Sequence, residues 1–359
     1  MTEFFIVGIL CVLIAGLQKY YKHALLFSFL ILTIFLAIRY QFGSDYYDYQ
    51  NHFELDNSGT LDYVMGWERL EIGWIILSRL FKPVGFFGMV MILTIFEHIV
   101  LYWFIKKHVP SSWYWLAVFS YIFSSSLCLT GSSMMRQFLA MCLCLIAFNL
   151  ALNKKNIIWA LSLVFLAAQI HTSAFLCVPF CFIGFLTEIK LTNLQIIIIS
   201  TAVIIVIIVF KEILGNYLQN FVATSVFEAY ESRFDEIAHS NIGVSTIVNY
   251  FIFFFILFKQ RLQDSANRKF VLIFLWYIII ESFGTIAPLI NRMGLYFYLL
   301  FPVCFPNAIN KCKNKEIILL FVILFVVLRL YNCYSFITAP GWGNSFLEYK
   351  TIFSANSWM

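Results

Sequence analysis

Apolar runs about as long as a bilayer is thick fill most of this chain, and only short polar breaks separate them. A spanning helix needs about 20 mostly apolar residues. Runs near that length fall at 3–18, 23–38, 84–105, 112–130, 136–152, 157–170, 173–187, 192–210, 244–258, 269–287, 293–309 and 316–332. They predict an all-α polytopic membrane protein of about twelve transmembrane helices, forming a single integral membrane domain over residues 1–359. Composition points the same way. Hydrophobic residues make up 62% of the chain and charged ones 12%, more apolar surface than a soluble domain could bury. Glu3 precedes the first run with no basic segment before it, which argues against a cleavable signal peptide.

Lysine and arginine orient the spans. Alternate connections carry Lys19/Lys22, Lys106/Lys107, Lys154/Lys155, Lys190, Lys259/Arg261/Arg268/Lys269 and Lys311/Lys313/Lys315, opposed only by Glu188, Asp264 and Glu316. These connections are expected in the cytoplasm, and both termini outside. Two larger insertions, near 39–83 and 211–243, then lie on the outer side. Within the first, Leu70, Trp74, Leu77 and Phe81 recur every three or four residues. That spacing predicts an amphipathic or re-entrant helix at 67–82, ended by Pro83. Cys142/Cys144 and Cys177/Cys181 read as buried thiols, and Cys333 as lying just beyond the last span. No zinc-type cluster, acidic metal motif or nucleotide-binding loop occurs, so the expected chemistry needs neither metal nor cofactor and involves no nucleic acid.

Charge inside or beside the apolar runs carries the rest of the information, because an arginine near the bilayer core costs several kcal/mol without a partner or a role. Arg39, Arg136, Arg292, Arg329 and His171 all fall at outer ends of runs. Arg136 opens a span after Gly131-Ser132-Ser133-Met134-Met135. A cation there opposes the helix dipole, yet free backbone N–H groups and a guanidinium would converge on a phosphate. His171, in the polar break Gln169-Ile170-His171-Thr172-Ser173, reads either as a general base or phosphate partner, or as a histidine at a helix cap. Arg39 is followed by Asp45, Asp48 and Tyr40, Tyr46, Tyr47 and Tyr49. Tyrosine faces and carboxylates suit sugars, and an interfacial aromatic belt is the competing reading. Arg292 competes between an anion contact and pairing with Glu281 in the preceding span; Arg329 reads as a snorkelling side chain. Glu97-His98 falls in mid-span and suggests a polar helix contact.

Taken in order, Arg39 before Gly43-Ser44-Asp45-Tyr46-Tyr47-Asp48-Tyr49, Glu71-Ile72-Gly73, Arg136-Gln137, His171-Thr172-Ser173-Ala174, and Arg292 with Tyr296 resemble the EpsG-like branch of the Wzy-type bacterial polysaccharide polymerases. The resemblance implies glycosyl transfer at the periplasmic face of the cytoplasmic (inner) membrane, in O-antigen, capsule or exopolysaccharide synthesis. The growing glycan would pass from undecaprenyl diphosphate to the non-reducing end of a new undecaprenyl-diphosphate-linked repeat, with a chain-length regulator as a further partner. It assigns Arg136 and Arg292, assisted by Arg39, to the diphosphate. His171 would be the base or a second diphosphate ligand, Asp45 and Glu71 the competing bases, and Tyr46, Tyr47 and Tyr49 the sugar-stacking residues. A flippase for the same lipid-linked glycan is the alternative, although it would spread charge along a path at mid-membrane depth. A membrane-bound acyltransferase would also use a lone histidine, but its donor is commonly cytoplasmic.

Overall fold

The computed structural model describes residues 1–55, 70–185, 192–210, 212–214, 244–259, 265–284 and 288–354. In chain order the helices are α1 (Thr2–Gly16), α2 (Ala24–Ala37), α3 (Tyr46–Leu55), α4 (Ile72–Leu80), α5 (Gly85–His108), α6 (Tyr114–Ile122), α7 (Cys128–Ser133), α8 (Met135–Ala151) and α9 (Ile157–Ile170). A 3₁₀ helix covers Thr172–Phe182. The series continues with α10 (Asn193–Val209), α11 (Val244–Lys259), α12 (Ser265–Phe283), α13 (Pro288–Tyr298), α14 (Phe301–Asn310) and α15 (Lys315–Ile337). Two short strands, β1 (Arg39–Tyr40) and β2 (Lys350–Thr351), pair antiparallel with Arg39 opposite Thr351.

Among the described residues, three stretches are long and apolar enough to cross a membrane by length and composition: Thr2–Lys19, Lys82–His108 and Lys315–Ile337. Shorter apolar helices stand on other expected runs, among them Ala24–Ala37, Met135–Ala151 and Asn193–Val209. Large apolar side chains stay exposed along α1 and α15, such as Leu13 at 63% and Leu320 at 71%. Surfaces of that kind suit lipid rather than water.

Three expected spans are not continuous α-helices. The run 112–130 breaks between α6 and α7 at Ser124-Ser125-Ser126, where Thr130 turns both its amide and its hydroxyl onto the Ser125 carbonyl (2.9 and 3.0 Å). Serine clusters offer such alternatives to the helix ladder. The break is buried at its flanks, with Ser124 at 2% exposure and Leu127 at 0%, while Ser125 and Ser126 are half-buried; irregular backbone in a bilayer is tolerated only where protein or a water-filled cavity surrounds it. The run 293–309 divides into α13 and α14, with Pro302 at the start of the second; its ring opposes the carbonyl four residues earlier. The run 173–187 is 3₁₀ over Thr172–Phe182, with Pro179 inside it. At the C-terminal end α15 continues to Ile337, so Cys333, expected beyond the helix, is in it and buried. Of the segment 67–82, α4 covers Ile72–Leu80, and residues 67–69 lie outside the described residues. The insertion 211–243 also lies outside them, apart from 212–214.

Connections sorted together by charge meet in space. Asn307 donates to the His108 carbonyl (2.8 Å) and Trp113 to Asn310 (3.0 Å). Lys269 donates to the Leu152 carbonyl (3.0 Å), and Lys154 sits over the Phe185 ring. The other set also gathers: the Met1 ammonium reaches the Leu347 carbonyl, Gly43 N–H donates to Ser345 O (2.9 Å), and β1 pairs β2. Helix α5, 24 residues long, separates the two groups by about 36 Å. Met1 and the segment around Leu347–Thr351 therefore share the end away from the lysine-rich connections.

Candidate functional site

At that same end α4, the α7–α8 turn, the α9–3₁₀ break and α13 bring their polar side chains together. Glycine makes the approach of α4 feasible. A Cβ on Gly73 would lie 2.5 Å from the Gln169 carbonyl oxygen near the end of α9. Without that Cβ, Glu71, the residue before α4, reaches both neighbouring breaks. One carboxylate oxygen pairs with Arg136 Nη1 at 2.8 Å. The other accepts from Thr172 N–H (2.9 Å) and from the Thr172 hydroxyl (3.2 Å). The Arg136 and Glu71 side chains are 22% and 16% exposed, so the pair is shielded but reachable. Arg136, in the first turn of α8, also lies over the Tyr49 ring, 5.7 Å from its centroid.

His171 sits in extended backbone between α9 and the 3₁₀ helix. Its Nδ1 is 2.6 Å from Ser173 Oγ and 3.4 Å from Tyr296 Oη, while Ser173 Oγ donates to Tyr296 Oη at 3.2 Å. Burial holds the imidazole pKa below the usual histidine value. Glu71 works to raise it, and the charges of Arg136 and Arg292 lower it further. The result is a histidine kept neutral between one carboxylate and two guanidinium groups, which suits a proton acceptor.

The remaining expected residues are placed as follows. Arg292 lies on α13 with its side chain exposed. Its carbonyl accepts from Gln137 (2.6 Å), which ties α13 to the start of α8. Arg39 is 3% exposed and faces into the bundle, donating to Leu36 O (2.5 Å), Thr94 Oγ1 (2.8 Å) and Ser132 O (3.1 Å). With Glu97, His98 and Tyr121 it lines a cavity of about 10 Å³. Asp45 accepts from Ser44 Oγ (2.7 Å), and its amide donates to Ser133 Oγ (3.2 Å). Tyr46 is fully buried, its hydroxyl on the Arg39 carbonyl and its ring against Phe86. Tyr47 is exposed at 59%. Tyr49 is buried between Trp74 and Arg136.

Glu71, Arg136 and His171 thus form one cluster with Tyr49 beneath it and Arg292 within electrostatic reach. Arg39 lies in a separate network one layer inward. Arg329 differs from the snorkelling expectation. It is 6% exposed, donates to Asn249 Oδ1 (2.5 Å), and faces the rings of Phe301 and Phe325. The same Asn249 donates to Glu281 (2.9 Å) and Tyr277 (3.1 Å). Aromatic faces and an amide give this arginine partners that one-dimensional reading could not supply. Sequence reasoning saw Ser173 and Tyr296 only as parts of short motifs and did not connect them to His171, against whose ring both lie. Their signal was faint: Tyr296 follows Arg292 by four residues, one turn along the same helix face.

Fold and site together define an integral membrane protein with an arginine–glutamate–histidine cluster at one end of its helix bundle. The model of the EpsG family matches residues 22–351, and the chain belongs to that family. Neither the curated proteins nor the solved structures gave a match. Family membership suggests a function of the polysaccharide-polymerase kind.

Proposed function

We propose that the protein polymerises lipid-linked oligosaccharide repeats at the extracytoplasmic face of the inner membrane, transferring the growing glycan from undecaprenyl diphosphate to a new undecaprenyl-diphosphate-linked repeat. The observation that carries this reading is the convergence of Arg136, Glu71 and His171, from three separate chain segments, at the end away from the lysine-rich connections. An acceptor hydroxyl oxygen attacks the anomeric carbon of the donor, and the bond from that carbon to the diphosphate oxygen breaks. The electron pair leaves with the diphosphate, whose charge Arg136 and Arg292 offset. The hydroxyl proton passes to neutral His171. Glu71 already accepts three hydrogen bonds from Arg136 and Thr172. Its part is to aim Arg136. Tyr49 backs the guanidinium, and Tyr47 is the exposed ring available to a sugar face. A separate chain-length regulator fits this scheme as a partner.

The test is chain extension by the purified protein in liposomes with an undecaprenyl-diphosphate-linked repeat. Arg136→Ala and His171→Ala should each insert normally and lower extension at least about 100-fold, the cost of losing one charge-stabilising donor or the base. Polymer of wild-type length from either variant would remove that residue from the reaction. In cells, deletion should leave surface glycan capped by single repeats; loss of all lipid-linked export would instead indicate a flippase.

A further inference from the structure

His171 is held from behind by two hydroxyl groups whose order determines what its other nitrogen can do. Ser173 Oγ is 2.6 Å from Nδ1 and donates to Tyr296 Oη at 3.2 Å. A serine hydroxyl has one proton. Directed at Tyr296, it presents lone pairs toward the imidazole, and the short 2.6 Å contact is then best made with the hydrogen on Nδ1, donating to Ser173. In a neutral ring Nε2 then presents a lone pair, and among the described residues it meets no hydrogen-bonding side chain. Tyr296 is fully buried on α13, whereas Ser173 lies in the 3₁₀ helix after α9. The relay therefore spans two elements and is not a local turn. The charged and titratable groups facing this histidine are Glu71, Arg136, Arg292 and Tyr296.

We propose that Tyr296 and Ser173 are positioning residues that hold His171 in the Nδ1–H tautomer, aiming Nε2 as the proton acceptor at the acceptor hydroxyl. The inference rests on the glycosyl-transfer reading for its consequence, but the tautomer itself does not. Removing the tyrosine hydroxyl frees the Ser173 proton to turn toward Nδ1. The ring then becomes the Nε2–H tautomer, a donor where an acceptor is needed. A histidine in the wrong tautomer loses most of its power as a base, and residues that orient a histidine typically contribute about 10–100-fold. Because Arg292 and Tyr296 share one face of α13, that helix would deliver both a cation for the leaving group and the end of the relay.

The experiment uses full-length protein in bilayers with ¹⁵N-labelled histidine, His171 being assigned by subtraction of a His171→Gln spectrum. Wild type should show His171 as Nδ1–H, and Tyr296→Phe, nearly isosteric, as Nε2–H. Chain extension should fall about 10–100-fold in Tyr296→Phe and Ser173→Ala, with kcat lowered and KM little changed. The double variant should be no worse than either single one, because both break one relay. Ser173→Thr, which keeps the hydroxyl, should restore extension. A wild-type Nε2–H signal, or a tautomer unchanged in Tyr296→Phe, overturns the proposal. If the tautomer switches as expected while His171→Gln still extends chains, the relay stands and the glycosyl-transfer role of His171 fails.

Discussion

At the scale of the residue, a charged arginine and a histidine kept neutral by burial gather around one carboxylate. Glu71 makes this feasible. It pairs with Arg136 at 2.8 Å and opposes the burial that lowers the His171 pKa. A consequence follows for pH. A histidine with a lowered pKa remains unprotonated as pH falls through about 6.5, where a free imidazole titrates. The base should therefore stay competent there, and chain extension measured from pH 8 to 5 should show its acid limb below that value. A rate that halves near pH 6.5 would count against a buried neutral His171. The stability sign is the opposite of the usual histidine case. Between the two pKa values the unfolded chain binds the extra proton, so His171 contributes a loss of stability as pH falls through the free-histidine range. Arg39 shows how much one residue's meaning depends on its surroundings. The same side chain that reads as a diphosphate ligand after a span donates to Leu36 O, Thr94 and Ser132 O, linking three elements of the bundle.

Among the elements, the decisive features are the breaks and the glycines that let neighbours approach them. The helix pair α6–α7 and the helix pair α13–α14 both interrupt an apolar run, and the interruptions touch, with Tyr298 donating to Ser124 (3.2 Å). The turn after α7 leads directly into Arg136, so the break sets the arginine in the first turn of α8, at the positive end of that helix. Gly43 closes the outer side of this turn. Its φ of +109° excludes other residues on conformational grounds, and a Cβ there would lie 2.8 Å from Ser133. Gly73 has the analogous place on α4. Gly73→Ala should press on the Gln169 backbone, an overpacking cost of about 1–3 kcal/mol, and push Glu71 away from Thr172 and Arg136. The expected outcome is a protein that inserts and keeps its helix content but loses most chain extension. Retained activity would show that α4 can shift without harm.

For the molecule as a whole, the organising fact is sidedness. Charge counting predicts that the lysine-rich connections are cytoplasmic, and in three dimensions those connections contact one another about 36 Å from the opposite end. Membrane-impermeant thiol labelling of cells checks the orientation. Cys312, half-buried between Lys311 and Lys313, is first replaced by serine. Ser44→Cys and Asn344→Cys should then react from outside, and Lys155→Cys and Lys313→Cys only after permeabilisation. The reverse pattern would put the Arg136–Glu71–His171 cluster in the cytoplasm and end the proposed reaction.

Hydropathy alone was enough for the class of fold and for most helix positions, because burial in lipid demands long apolar runs whatever the neighbours are. The order of short motifs was enough for the family, and the dipole mismatch at Arg136 was enough to single it out. What hydropathy could not show was where apolar runs stop being α-helix, since Ser124-Ser125-Ser126, Pro179 and Pro302 act through local hydrogen bonding that is nearly silent in a hydropathy window. Nor could it show what each arginine touches: Arg136 pairs with Glu71, whereas Arg39 and Arg329 are buried among carbonyls, an amide and aromatic rings. Packing decided that. Glu71, Thr172, Ser173 and Tyr296 come from segments far apart in sequence, and only their meeting sets one arginine beside a half-buried carboxylate and histidine while the other two are held among buried partners.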